Sequence, residues 1–178
     1  YHCPGYAITH GNTPALVRFK PLPGEFALPG DQESQWGPAT LEFVRRHKIK
    51  NVFLVCLWTS YPIDGEEIPE TLKALQQAGA DCWIMAPLPQ PPLDIRRAAL
   101  LADRGVIASP SPLPPEAVAY NQTLFQKRVS KCRPGSYHLI DPLTILRDPG
   151  SGAFPYFYRG KLLYHDTCHL SVEGNLRL

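Results

Sequence analysis

Between Trp36 and Asp141 the chain alternates three times between a stretch with apolar residues at helical spacing and a short apolar run. In GPATLEFVRRHKI, Leu41, Val44 and Ile49 fall close to one helical face, and the run NVFLVCLW follows. In IPETLKALQQAG, Ile68, Leu72 and Leu75 keep that spacing, Gly79 reads as a helix stop, and DCWIMAP follows. A third helix, PPEAVAYNQTLFQKRVSK, starts on prolines and leads into SYHLID. Helices that alternate with short buried strands predict an α/β fold with a mostly parallel sheet covered on both faces. In such sheets ligands bind beyond the carboxyl ends of the strands.

The prolines sharpen this outline. Twenty of them occur, concentrated in KPLPGEFALPGD, APLPQPPLD and SPSPLPPEA, and such clusters cannot lie inside helices or central strands. They predict long surface connections, and residues 1–35 read as an irregular segment wrapping over a core formed by 36–178, with ALVRF as its one strand-like piece. With 178 residues and 44% hydrophobic content, one domain is the expectation. The net charge of +2 comes from scattered Lys and Arg, which disfavours nucleic acid as a partner, and no apolar stretch approaches the length of a membrane span. Five cysteines show no CxxC pair, and Cys56 and Cys82 sit in apolar runs as core thiols.

Applied strand by strand, the carboxyl-end rule brings out Trp58, Thr59, Ser60 and Tyr61 after NVFLVCLW, Asp141 after SYHLID, and Asp166 with His169 after KLLYHD. The last pair is the sharpest. A histidine serves as general base when a carboxylate holds one ring nitrogen, fixes the tautomer and stabilises the imidazolium that forms. Residues three apart on a turn can meet in this way. Two other readings of the tail remain open: a zinc site from His165, Cys168 and His169, or Asp166 as a cap of the following helix. Ser171 reads as the N-cap of a terminal helix. Trp58 and Tyr61 also fit as core or rim aromatics and His138 as a structural histidine, while Asn121 lies on the third helix with no motif behind it.

DTCHLSVEGNLRL resembles the block DxxHLSxxGxxxL that ends the SGNH-hydrolase domain attached to bacterial acyltransferase-3 membrane proteins, the O-acyltransferases of surface polysaccharides. NVFLVCLWTSY is similar to that family's central strand, and TLKALQQAGADCWIMAPLPQPP to its following helix, strand and proline loop. The resemblance implies a flavodoxin-like three-layer sandwich, with His169 as catalytic base and Asp166 as its orienting carboxylate. It makes Trp58, Ser60 and Tyr61 possible oxyanion or substrate contacts, and it implies no cofactor and no metal. The function implied is acyl-ester transfer or hydrolysis, namely O-acetylation of cell-surface polysaccharide. Its partners would be an acyl donor, a carbohydrate acceptor and a transmembrane acyltransferase domain on the same polypeptide, at the periplasmic or extracellular face of the membrane.

The family's nucleophile sits in a Gly-Asp-Ser-His motif, and these residues contain none; in GDQES, Gln32 stands where the serine would be. The resemblance therefore predicts a segment of a longer polypeptide, cut at both ends, with the serine upstream of Tyr1. The alternative is a non-catalytic carbohydrate-binding or assembly domain that has lost its serine.

Overall fold

The computed structural model describes residues 16–17, 32–60, 63 and 65–178. Tyr61, Gly30, Asp31 and all of ALVRF except Leu16 and Val17 lie outside the described residues. The chain forms two compact units, Tyr1–Met85 with Gln126–Leu139 and Ala86–Phe125 with Ile140–Leu178.

In the first unit, helix α1 (Gln32–His47) buries Leu41 and Val44, as their spacing predicts. It starts upstream of Trp36 and runs through Pro38, whose ring gives up one backbone bond. A Cβ on Gly37 would fall 2.1 Å from the Leu16 carbonyl oxygen, so only glycine lets that backbone pass. Helix α2 (Glu67–Gln77) buries Ile68, Leu72 and Leu75 on one stripe with Thr71, whose hydroxyl donates to the Glu67 carbonyl (2.6 Å) and accepts from Val17 N–H (2.8 Å). Gly79, at φ +83°, then ends the helix where a side chain would be strained.

Strands β1 (Asn51–Leu54) and β2 (Asp81–Met85) pair in parallel, Asn51 opposite Asp81 through Leu54 opposite Ile84. Strand β3 (His138–Ile140) completes a sheet of order β1-β2-β3. Leu54, Cys82 and Ile84 are buried on one face, while Phe53 is 58% exposed on the other. On that open face Phe53 stacks on Trp83 (5.7 Å between centroids), and Trp83 stacks on His138 (4.4 Å). The parallel pairing meets the expectation of a parallel sheet, and among the described residues Phe53, Trp83 and His138 make a row of cross-strand aromatic contacts on this face. The strand expected to reach Trp58 stops at Leu54, because the chain then turns, with bonds from Trp58 N–H to Cys56 O and from Ser60 N–H to Leu57 O.

The second unit holds elements the sequence reading did not separate. Helix α3 (Ile95–Asp103) follows the proline loop, capped by Asp94, whose carboxylate accepts from Arg97 N–H at 3.0 Å. Helix α4 (Glu116–Val129) matches the expected third helix. Asp141, expected among the polar groups at strand ends, instead caps helix α5 (Pro142–Leu146) through Leu143 N–H. Strands β4 (Phe157–Tyr158) and β5 (Lys161–Leu162) form an antiparallel hairpin around Arg159 and Gly160, both at positive φ. KLLYHD therefore does not extend the parallel sheet. Ile95, Leu113, Leu146, Phe154, Leu163 and Tyr164 centre this unit's core, and Leu170 closes it.

Helix α6 (Val172–Asn175) shows how the tail is fixed. Ser171 Oγ accepts from Gly174 N–H (3.1 Å) and donates to the Leu162 carbonyl (2.6 Å), and Ser171 N–H bonds Leu163 O (2.9 Å). A Cβ on Gly174 would lie 2.1 Å from the Leu163 carbonyl oxygen. Gly174→Ala is expected to destabilise the protein by about 1–3 kcal/mol, the usual effect of overpacking against backbone. Urea unfolding followed by circular dichroism would measure it, and an unchanged midpoint would contradict this close approach.

Candidate active site

The loop that carries Asp166 and His169 leaves the core at Tyr164 and returns at Leu170, residues joined by an antiparallel bridge. A bond from His165 N–H to His169 O (2.8 Å) closes its neck. Both anchors are buried, Tyr164 at 1% exposure, so the loop stands on a rigid base although its tip faces solvent.

Asp166 builds the tip. Its Oδ1 accepts from the backbone N–H of Cys168 and of His169, each at 2.8 Å, folding Asp-Thr-Cys-His into a tight turn. Its Oδ2 lies 2.7 Å from His169 Nδ1. An ionised carboxylate only accepts, so the ring carries a proton on Nδ1, and in its neutral form it keeps a lone pair on Nε2. The His169 side chain is 70% exposed and that of Asp166 36%. Partial desolvation pushes the Asp166 carboxyl up, but the Cys168 N–H, the His169 ring and the His169 N–H outweigh it and hold the group well below the usual carboxylate range. The geometry can hold one tautomer, take a proton at Nε2 and balance the resulting imidazolium.

Cys168 enters the same cluster, its Sγ 3.5 Å from His169 Nδ1. Desolvation and the neighbouring Asp166 charge push its thiol up. The metal-binding set suggested by spacing is corrected here: the ligating atoms that converge within 4.8 Å of one another belong to Asp166, Cys168 and His169. His165 is not in the set, because four-residue spacing shares a face only in a helix and this segment is a closed loop. The capping reading of Asp166 is partly met, since the residue caps its own turn while Ser171 caps α6.

Trp58 and Ser60 lie in the first unit, and Tyr61 is outside the described residues. Trp58 is 1% exposed, and its indole N–H donates to the Met85 carbonyl at 2.6 Å, tying the turn after β1 to the end of β2. Ser60 is exposed at the end of that turn. The sequence reading missed Gly174 as the residue that lets α6 seat on Leu163; the glycine in LSVEG was its signal. Beside the loop, Arg96, Lys161, Tyr164, His165, Ser171 and Glu173 line an open groove, also unread in the sequence. Lys161 and Glu173 pair across it at 2.8 Å.

No helix among the described residues is long and apolar enough to cross a membrane. No curated protein matches the sequence. Among solved structures, the periplasmic domain of a lipopolysaccharide acetyltransferase from Salmonella ser. Paratyphi A is similar, with a TM-score of 0.62 and 15% identity. The match covers 90% of this chain and 63% of that one, so the present residues span less than two thirds of the neighbour's length. At that identity the likeness establishes the fold alone, an α/β architecture. The family model for the SGNH domain fused to AT3 domains matches residues 2–178, nearly the whole sequence, and the chain belongs to that family.

Proposed function

We propose that this domain works in acyl transfer from an activated donor to a sugar hydroxyl of a cell-surface polysaccharide, with His169 as general base and Asp166 as the residue that orients it. The observation that carries the reading is the 2.7 Å contact between Asp166 Oδ2 and His169 Nδ1, which leaves Nε2 free to take a proton. The SGNH family is described as fused to AT3 domains, and the solved neighbour is a periplasmic domain; both support a parent polypeptide that carries a membrane acyltransferase region, with this part on the periplasmic side.

In the first half-reaction a serine hydroxyl, supplied from outside residues 1–178, attacks the acyl carbonyl and gives its proton to His169 Nε2. Asp166 balances the imidazolium, and that proton passes to the leaving group as the tetrahedral intermediate collapses. In the second, Nε2 takes the proton of the sugar hydroxyl as it attacks the acyl-serine and returns it to the serine oxygen. The groove beside the loop, with Arg96, His165 and Ser171 on its walls, is the acceptor surface of this reading.

One observation favours a second reading, a carbohydrate-binding or assembly domain without catalysis: residues 1–178 contain no Gly-Asp-Ser-His motif. Loss of a triad nucleophile lowers turnover on the order of 10⁶-fold. Hydrolysis of an activated acetyl ester by the parent polypeptide separates the two. His169→Ala is expected to lower turnover on the order of 10⁴-fold or more, and Asp166→Asn by roughly 10²- to 10⁴-fold, both with intact folding. Equal rates for wild type and His169→Ala would leave the binding reading.

The depressed carboxyl of Asp166 gives a pH signature. A folded-state value below the unfolded one adds stability that is fully present above the unfolded value of about 3.9 and is lost as pH falls through the folded value. The stability difference between wild type and Asp166→Asn is therefore expected to be constant near neutrality and to shrink below about pH 4. Denaturation midpoints at stepped pH would show it, and a difference independent of pH would contradict the bonding described for Oδ1 and Oδ2.

A further inference from the structure

We propose that Asp166, Cys168 and His169 form a binding site for a thiophilic divalent cation such as Zn²⁺, and that its occupancy disarms the histidine. The three side chains offer carboxylate oxygen, thiol sulfur and imidazole nitrogen, a donor set suited to this cation, with a fourth position left to solvent. Metal–ligand bonds of about 2.1 Å to nitrogen and about 2.3 Å to sulfur at a tetrahedral angle place those two atoms about 3.6 Å apart. Cys168 Sγ and His169 Nδ1 already stand at 3.5 Å. The ion takes the place of the hydrogen on Nδ1, and the Oδ2–Nδ1 separation, now 2.7 Å, widens to about 3.4 Å, the span of two bonds of about 2.1 Å at a tetrahedral angle, as Oδ2 swings aside. Oδ1 keeps its bonds to Cys168 N–H and His169 N–H, so the turn that presents the ligands stays folded.

The protons balance in a way that explains the inhibition. The thiol gives up its proton to solvent as sulfur binds the metal. For Nδ1 to bind, its hydrogen must leave, and the neutral ring then carries its proton on Nε2 instead. The lone pair at Nε2 that accepts the nucleophile's proton is therefore gone while the metal is bound. Cys168 is what separates this loop from a bare Asp–His pair. The other free thiols among the described residues lack such company: Cys82 and Cys132 are buried, and the group of converging ligand atoms is that of Asp166, Cys168 and His169.

The inhibitory half rests on His169 acting as base, so the test separates it from binding. Titrating the parent polypeptide with Co²⁺ should give the near-ultraviolet thiolate-to-cobalt band at one equivalent, abolished by added Zn²⁺. Cys168→Ser should lack the band and bind roughly 100-fold more weakly, whereas Cys132→Ser should match wild type. At a Zn²⁺ concentration that saturates wild type but lies below the weakened Kd of Cys168→Ser, wild-type ester hydrolysis should be suppressed and whatever activity Cys168→Ser has should be unchanged. Absence of the band, or a band that survives Cys168→Ser, would overturn the site. A Cys168-dependent band with zinc-insensitive turnover would uphold the site and overturn His169 as base.

Discussion

The carboxylate of Asp166 has two oxygens and receives three N–H groups, and the C-terminal region depends on how it divides them. Oδ1 takes two backbone donors and makes the turn; Oδ2 takes the imidazole and sets its tautomer. One residue thus folds the loop with one oxygen and orients the imidazole with the other. The pair is too exposed to contribute much stability, since solvent-facing ion pairs are worth about 0–1 kcal/mol. Its value is positional. Backbone donors stand among the causes that hold the carboxyl ionised, so the charge behind the ring persists whether or not His169 is protonated.

A loop with this duty needs a stiff foundation, and the residues around it divide that work. Leu170 buries itself in the second unit's core, and Ser171 ties α6 to the Leu162 and Leu163 carbonyls on the strand side. Gly174 gives the room in which α6 approaches Leu163. A block written as DxxHLSxxG is therefore a physical sentence: carboxylate, ring, anchor, cap, clearance. Each position is explained by a bond or a contact, and the two intervening residues after the aspartate are set only by the length of the turn. One of them, Cys168, brings a thiol to within 3.5 Å of His169 Nδ1.

How much of this the sequence carried depends on the range of the forces involved. Helices α2 and α4 were legible because periodic burial is a local pattern, and the Asp166–His169 contact was legible because three residues on a turn leave few other geometries. Gly79 announced its stop for the same local reason. Three things were not. A continuous apolar run cannot say that Phe53 will face outward and stack on Trp83, since which face is covered depends on distant segments. The KLLYHD run looked like one more parallel strand, but its direction was decided by the Arg159–Gly160 turn, which pairs it back on Phe157 and Tyr158. The indole of Trp58 read either as a contact at a strand end or as a core aromatic, and the choice was not local: the early end of β1 brings it to the Met85 carbonyl and buries it.

The exposure of His169 bears on how such a base could work. A general base gains most when water is excluded, because electrostatic interactions strengthen as the local dielectric falls. Asp166 is ready beforehand, fixed by three N–H donors, but a ring that is 70% exposed has no such shelter. In the proposed reaction the dry surroundings would have to arrive with the reactants: an acyl group or sugar laid over the loop would remove water from Nε2 as the proton moves. That ordering makes the loop a preorganised half of a site, rigid in its hydrogen bonds and open in its solvation. The thiophilic ion proposed for this loop would reach the same atoms by the same openness, which would tie the access that the proposed chemistry requires to a route for its inhibition.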